Sequence, residues 1–227
     1  MSIQANMDGR AAVVDRLAEL RVAPVITIGS AEHAVPLADA LLEGGLPVAE
    51  ITFRTDAAAD AIAAIRDQRP EVFLGAGTVL TTENLERAHA CGARFAVAPG
   101  LNPAVVNRAR ELGMPFFPGV ATPSEIEHGL SLGQDVLKFF PAATLGGPAA
   151  LKAIVAPYEH TGVRIMPTGG VNGKNLGEYL AMKSVIAVGG TWIAKRHDLE
   201  DGAWNDITAR CKVACHVVEE VQAKERS

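Results

Sequence analysis

Cysteine is scarce: the 227-residue chain has three, Cys91, Cys211 and Cys215. An odd number with no tight framework excludes a disulfide-stapled scaffold and fits a reducing compartment. Cys211 and Cys215 lie four apart on an expected helix. That spacing suits half a metal site, but two reduced thiols on a core-facing stripe is the reading the sequence favours. Long apolar runs are missing too. None approaches the ~20 residues of a membrane span, and the opening "MSIQANMDGRAAVVDRLAELR" lacks a signal-peptide apolar region and reads as an amphipathic helix. Basic blocks are absent: 21 Lys and Arg against 26 Asp and Glu, spread along the chain, give a net charge of −5. That argues against a nucleic-acid face. There is no linker, no low-complexity tract, no Walker loop and no G-x-S-x-G elbow. The six histidines, His33, His89, His128, His160, His197 and His216, never pair at metal-ligand spacing. The expectation is a cytoplasmic protein with no membrane or nucleic-acid partner and no metal.

What is present is a repeating pattern. Hydrophobic residues make up 48% of the chain, enough for a sizeable core. A β-rich apolar run, a Gly/Pro/Thr turn and an Ala/Leu-rich amphipathic stretch recur. The apolar runs occupy 22–29, 48–54, 72–79, 95–100, 115–121, 136–142, 163–170 and 184–192. Between them stand helical stretches with capping residues at Ser30, Thr55 or Asp56, Thr82 and Ser124, and with glycines at 44, 92, 113 and 133 to end them. Alternating strands and helices imply parallel strands with helical crossovers. Eight such units predict a single α/β domain over 1–227, a closed (β/α)8 TIM barrel: an N-terminal helix over 1–21, barrel strands over 22–192 and a helical segment over 193–227. An open doubly wound sheet would carry a dinucleotide fingerprint after its first strand, and "ITIGSAEHA" has none.

Chemistry in such barrels sits at the carboxyl ends of the strands. Side chains alternate along a strand, so Glu50, Thr52 and Arg54 share one face of the second run, and Lys138 and Phe140 one face of the sixth. If those faces are the interior, Glu50, Arg54, Thr78 and Lys138 converge on one mouth. Lys138 is the conspicuous one, set in "DVLKFFPA". Lysine is rarely buried without compensation. Two readings stand: a structural ion pair with Glu50, or a desolvated amine that attacks a ketone and forms a Schiff base. Glu50 is correspondingly a neutralising partner or a general acid/base. Arg54 is a rim salt bridge or a carboxylate fork. Thr78 is a cap for the following helix, which spacing alone favours, or a donor to that carboxylate. The pairs "PTGGVN" and "AVGGTW" follow the last two runs, where Gly-rich turns expose backbone N–H groups to phosphate. Thr191 adds a hydroxyl there.

With those residues in hand, the sequence closely resembles the bacterial 2-keto-3-deoxy-6-phosphogluconate (KDPG) aldolase family, which includes 4-hydroxy-2-oxoglutarate (KHG) aldolases. The matching stretches are "PVITIGSAEHAVPLADAL", "EITFRT", "GAGTVLT", "FAVAPGLNP", "LKFFPA", "PTGGVN" and "VGGTW", in family order from about residue 22 to 192. The resemblance implies a class I, metal-independent aldolase of the Entner–Doudoroff pathway, without a cofactor, on a (β/α)8 barrel in a cytoplasmic homotrimer. By motif, Lys138 becomes the Schiff-base lysine and Glu50 the acid/base. Arg54 and Thr78 become the grip on the pyruvyl carboxylate, Pro99 and Phe140 the pocket walls, and Gly169, Gly170 and Thr191 the phosphate end. Many relatives have serine at the position of Thr191 and a basic residue in the loop where this chain reads Gly29 and Ser30. Less favoured alternatives are a phosphosugar isomerase or epimerase on the same barrel, and a non-catalytic phosphosugar-binding protein.

Overall fold

Strands and helices alternate along most of the chain in a computed structural model that describes residues 3–226. The first two residues of the expected N-terminal helix and the final residue lie outside the described residues. Helix α1 (Ile3–Leu20) precedes β1 (Val22–Ile26), α2 (Ala34–Glu43), β2 (Val48–Thr52), α3 (Ala58–Gln68), β3 (Phe73–Gly77), α4 (Thr82–Cys91), β4 (Phe95–Val97) and α5 (Pro103–Leu112). There follow β5 (Phe116–Phe117), β6 (Gly119–Val120), α6 (Pro123–Ser131), β7 (Val136–Phe139), α7 (Gly147–Val155), β8 (Arg164–Pro167), α8 (Leu176–Leu180), β9 (Val188–Gly190), α9 (Arg196–Glu200) and α10 (Trp204–Glu225). Among the described residues no helix is long and apolar enough to cross a membrane.

The expected units appear with two corrections. The run 115–121 is two short strands, because Pro118 has no N–H to give the ladder. The run 184–192 is strand only over Val188–Gly190. The parallel strands form two hydrogen-bonded sheets, one in the order β5-β4-β3-β2-β1-β9 and one in the order β6-β7-β8. Single parallel bridges at Ile165–Val185 and Thr168–Gly189 link β8 to the segment that ends in β9. The architecture is an α/β fold whose parallel sheet is curled, with helices outside.

Helix starts follow local chemistry, shifted by a residue or two from the expected caps. Thr81, not Thr82, caps α4 by accepting from Asn84 N–H. Thr122, not Ser124, caps α6 in a capping box with Glu125, and Pro123 takes the first helical position. Ala57 stands at the N-cap of α3 in place of Thr55 or Asp56; the Thr55 hydroxyl instead donates to the Ile28 carbonyl. Ser30 caps a short 3-10 turn, Ala31–His33. Gly92 and Gly113 end α4 and α5 with positive φ.

The ladder registers define an inner face. Val25 pairs Glu50, Glu50 pairs Gly75 and Gly75 pairs Phe95; in the other sheet Gly119 pairs Lys138 and Lys138 pairs Met166. Toward the strand N-termini that interior is apolar. Phe95, Val97, Phe117, Val136, Met166 and Ile186 pack with Val13, Val14 and Leu17 of α1. Helix α1 therefore plugs this end. Arg10 ties it down, donating to Asp135 at 2.8 Å. Partial burial pushes the Asp135 carboxyl up, but Arg10 and Arg164 outweigh it and hold the group below the usual carboxylate range. At the outer shell α10 packs on α2, where Cys211 is buried against Gly44 and the Thr208 hydroxyl donates to the Ala40 carbonyl. Both thiols thus face the core stripe, and burial pushes Cys211 up to about 12.

Leu17→Ala removes a fully buried side chain from the plug and is expected to cost about 3 kcal/mol of stability, read as a lowered midpoint in urea unfolding. At pH 8 a thiol reagent is expected to leave Cys211 unlabelled until denaturant is added; fast labelling in the native state would contradict its burial.

Candidate active site

Lys138 and Glu50 come from strands on different sheets and meet in the interior. Lys138 Nζ lies 3.3 Å from Glu50 Oε1, with the two side chains 5% and 2% exposed. Their neighbours explain how the carboxylate fits. A Cβ added at Gly77 would stand 2.3 Å from that same Oε1. Only glycine at this position leaves the carboxylate where it stands. Next along β2, Thr52 is buried and its hydroxyl lies 2.9 Å from that of Thr27, beyond the end of β1.

Above this buried pair stands a second one. Arg54, past the end of β2 and exposed, donates through Nε to the Thr78 hydroxyl at 3.0 Å. The capping reading of Thr78 is therefore corrected, since Thr81 caps the helix. Thr78 has φ +55°, a left-handed conformation that costs a β-branched residue energy; it is held there while its hydroxyl faces Arg54. Phe140 follows β7, with its ring centroid 5.7 Å from Lys138 Nζ. Its far edge reaches the end of β8, where a Cβ on Gly169 would lie 3.1 Å from Cε2. Pro99 follows β4, its carbonyl packed so closely on Gly119 that a Cβ there would stand 2.1 Å away.

Gly169 and Gly170 form the expected turn, with φ +96° and +76°. The second glycine pair does not. Gly189 and Gly190 are buried strand residues of β9, paired with Ala23 and Pro24 of β1. They are glycine because Thr168 and the Trp192 ring press on them. Thr191 is exposed just beyond, on the same end of the molecule. The structure thus brings Lys138, Glu50 and Phe140 together, pairs Arg54 with Thr78, and sets Gly169, Gly170 and Thr191 at the strand ends on the rim. Sequence reasoning missed Thr27 and Gly77. Alternation along "VITIG" was a usable signal for Thr27; nothing local signalled Gly77.

Two surface cavities lie elsewhere. One of about 700 Å³ sits between α7 and α8 near Val163 and Ser184. The other, of about 380 Å³, sits by Arg10, Met114 and Gln134. Both open near the N-terminal ends of strands, away from the buried pair. Among the described residues no group of three or more His, Cys, Asp or Glu stands together as a metal site.

The arrangement is an amine and a carboxylate buried in the interior, with the exposed Arg54 at the strand ends. Comparison with known proteins gives the same picture. The family model described as "Aldolase: KDPG and KHG aldolase" matches residues 13–210. The chain belongs to the KDPG and KHG aldolase family. The 2-dehydro-3-deoxy-phosphogluconate aldolase of Treponema pallidum is 46% identical over 91% of this chain and 97% of its own. The KHG/KDPG aldolase of Escherichia coli K12 is 44% identical over 85% of this chain and 90% of its own. Among solved structures, the Legionella pneumophila KDPG aldolase with pyruvate captured as a covalent carbinolamine is 40% identical. It has a TM-score of 0.84 and covers 89% of this chain and 97% of that one.

For an aldolase built this way, the glycine wall is a sharp test. Gly77→Ala is expected to fold, at an overpacking cost of about 1–3 kcal/mol, while displacing the Glu50 carboxylate. Pyruvate release is expected to fall ~100-fold, the scale of a small misplacement in an active site, with near-ultraviolet circular dichroism retained. Full turnover in this variant would show that the carboxylate position does not matter.

Proposed function

We propose that the protein is a class I aldolase that reversibly cleaves 2-keto-3-deoxy-6-phosphogluconate to pyruvate and glyceraldehyde 3-phosphate. The same pyruvyl half serves 4-hydroxy-2-oxoglutarate, cleaved to pyruvate and glyoxylate. One observation carries this reading: a buried lysine amine 3.3 Å from a buried carboxylate, in a member of an aldolase family.

The chemistry runs on these side chains. Lys138 Nζ, its proton passed to Glu50, attacks the C2 carbonyl to give a carbinolamine. Glu50 returns a proton to the departing hydroxyl, and water leaves as the iminium forms. Glu50, through a water, then takes the proton of the C4 hydroxyl. The C3–C4 bond breaks, its electron pair enters the iminium, and the aldehyde departs. The remaining enamine is protonated at C3, and water hydrolyses the imine to pyruvate and free Lys138. Arg54 donates to Thr78 through Nε, which turns its two terminal nitrogens to a bidentate grip on the pyruvyl carboxylate, with the Thr78 hydroxyl beside it. Phe140 and Pro99 form apolar walls that keep bulk water from the imine. Gly169 and Gly170 offer backbone N–H groups to the phosphate and Thr191 its hydroxyl.

The finer architecture belongs to the same reading. Residues 1–227 form one domain, a closed (β/α)8 barrel. The β8–β9 bridges and the mere one-residue gap at Pro118 support closure of the two sheets. The family resemblance supports a cytoplasmic homotrimer.

Borohydride with pyruvate is expected to fix a reduced pyruvyl group on the Lys138 peptide. Glu50→Gln is expected to lower kcat by about 10²–10⁴-fold. An unmodified Lys138, or a Lys138→Ala variant that still turns over, would favour an isomerase or epimerase on the same barrel. Tight sugar-phosphate binding without pyruvate release would favour a binding protein.

A further inference from the structure

The rim carries a cation that the reaction as described does not use. Arg196 opens α9, and its Nη2 stands 3.9 Å from where a Cβ on Gly29 would be. Gly29 is exposed in the loop that follows β1. It has no side chain of its own, so the guanidinium lies across it. Strands β1 and β9 are ladder neighbours, with Pro24 opposite Gly190. The loop after β1 and Thr191 after β9 therefore meet at one corner of the strand ends, and Arg196 hangs over that corner. Thr168, just before the turn of Gly169 and Gly170, is bridged to Gly189, which brings that turn to the same side. Lys195 adds a second positive charge next in sequence.

The backbone that carries Arg196 is fixed from beneath. Asp198 is buried, its side chain 6% exposed. Its Oδ2 accepts from the Lys195 N–H at 2.8 Å and from Arg210 Nη2 of α10 at 2.6 Å. The Ala203 N–H also donates to the Asp198 carbonyl at 2.8 Å. The side chain of Arg196, by contrast, is 64% exposed, and its ion pair is a helical i,i+4 contact to Glu200 at 2.8 Å. An exposed pair of that kind competes weakly with a dianion. A guanidinium fork takes two phosphate oxygens at once.

We propose that Arg196 is a specificity-determining residue that binds the phosphate of the aldehyde half and makes the enzyme prefer phosphorylated substrates. The proposal rests on the aldolase reading, and the two can fail separately. The test compares kcat/KM for 2-keto-3-deoxy-6-phosphogluconate with that for unphosphorylated 2-keto-3-deoxygluconate. In Arg196→Ala the ratio of the two is expected to fall about 10- to 100-fold, the scale of a lost hydrogen-bonded charge. Arg196→Glu is expected to lower it further, and inorganic phosphate is expected to lose potency as a competitive inhibitor in both variants. A purely structural role would move melting temperature and both substrates together. An unchanged ratio in Arg196→Ala overturns the proposal, as does a fall that charge reversal does not deepen. Failure of the wild-type protein to be trapped by pyruvate and borohydride at Lys138 would instead overturn the underlying aldolase reading.

Discussion

Two opposite charges held out of water at 3.3 Å govern this structure. Removing a lysine and a glutamate from solvent costs more than their attraction reliably returns. A core of ordinary apolar side chains would serve stability at least as well. The fold nevertheless arranges much around the pair. Glu50 and Lys138 are 88 residues apart in sequence and belong to separate hydrogen-bonded sheets, so they meet only because the strands curl toward one another. The wall of β3 is thinned to glycine at 75 and 77, one position admitting the Phe95 ring and the other the carboxylate.

The interior is divided along the strands. Toward their N-termini, stacked and tilted rings of Phe73, Phe95 and Phe117 and the α1 residues fill the space. Burying such side chains is worth roughly 1.5–3 kcal/mol each. That apolar layer offsets the polar layer above it. The division follows from alternation alone. Positions two apart on one strand share the inner face, so Val136 falls in the apolar layer and Lys138 in the polar one.

Much of this was legible in the sequence, and the exceptions have physical reasons. The lysine in an apolar run and the glutamate two positions before Thr52 could be placed on inner faces from period-two alternation. Their contact could not, because residues so far apart are related only by the closure of the fold. Thr78 read as a helix cap because several threonines crowd that turn; the helix begins four residues on, at Thr82, with Thr81 as its cap. "VGGTW" read as a turn because adjacent glycines serve equally for a sharp turn and for close approach. Thr168 and Trp192, which decide between the two, lie outside the pair. Helix starts slipped by one or two residues wherever neighbouring Thr, Ser or Pro offered rival caps.

The plug formed by α1 fills the N-terminal end of the interior, so Lys138 is approached from the carboxyl ends of the strands. Lys138 sits deep within that interior, while Arg54, Thr191 and Gly170 stand at the lip. A two-piece product made in such a well must come out in the reverse of its depth. The fragment nearer the lip diffuses away while the one tethered to the amine blocks nothing behind it. On the proposed mechanism the order of release, aldehyde before keto acid, and in synthesis the order of loading, thus follows from the covalent tether at Lys138 together with its depth beneath the lip.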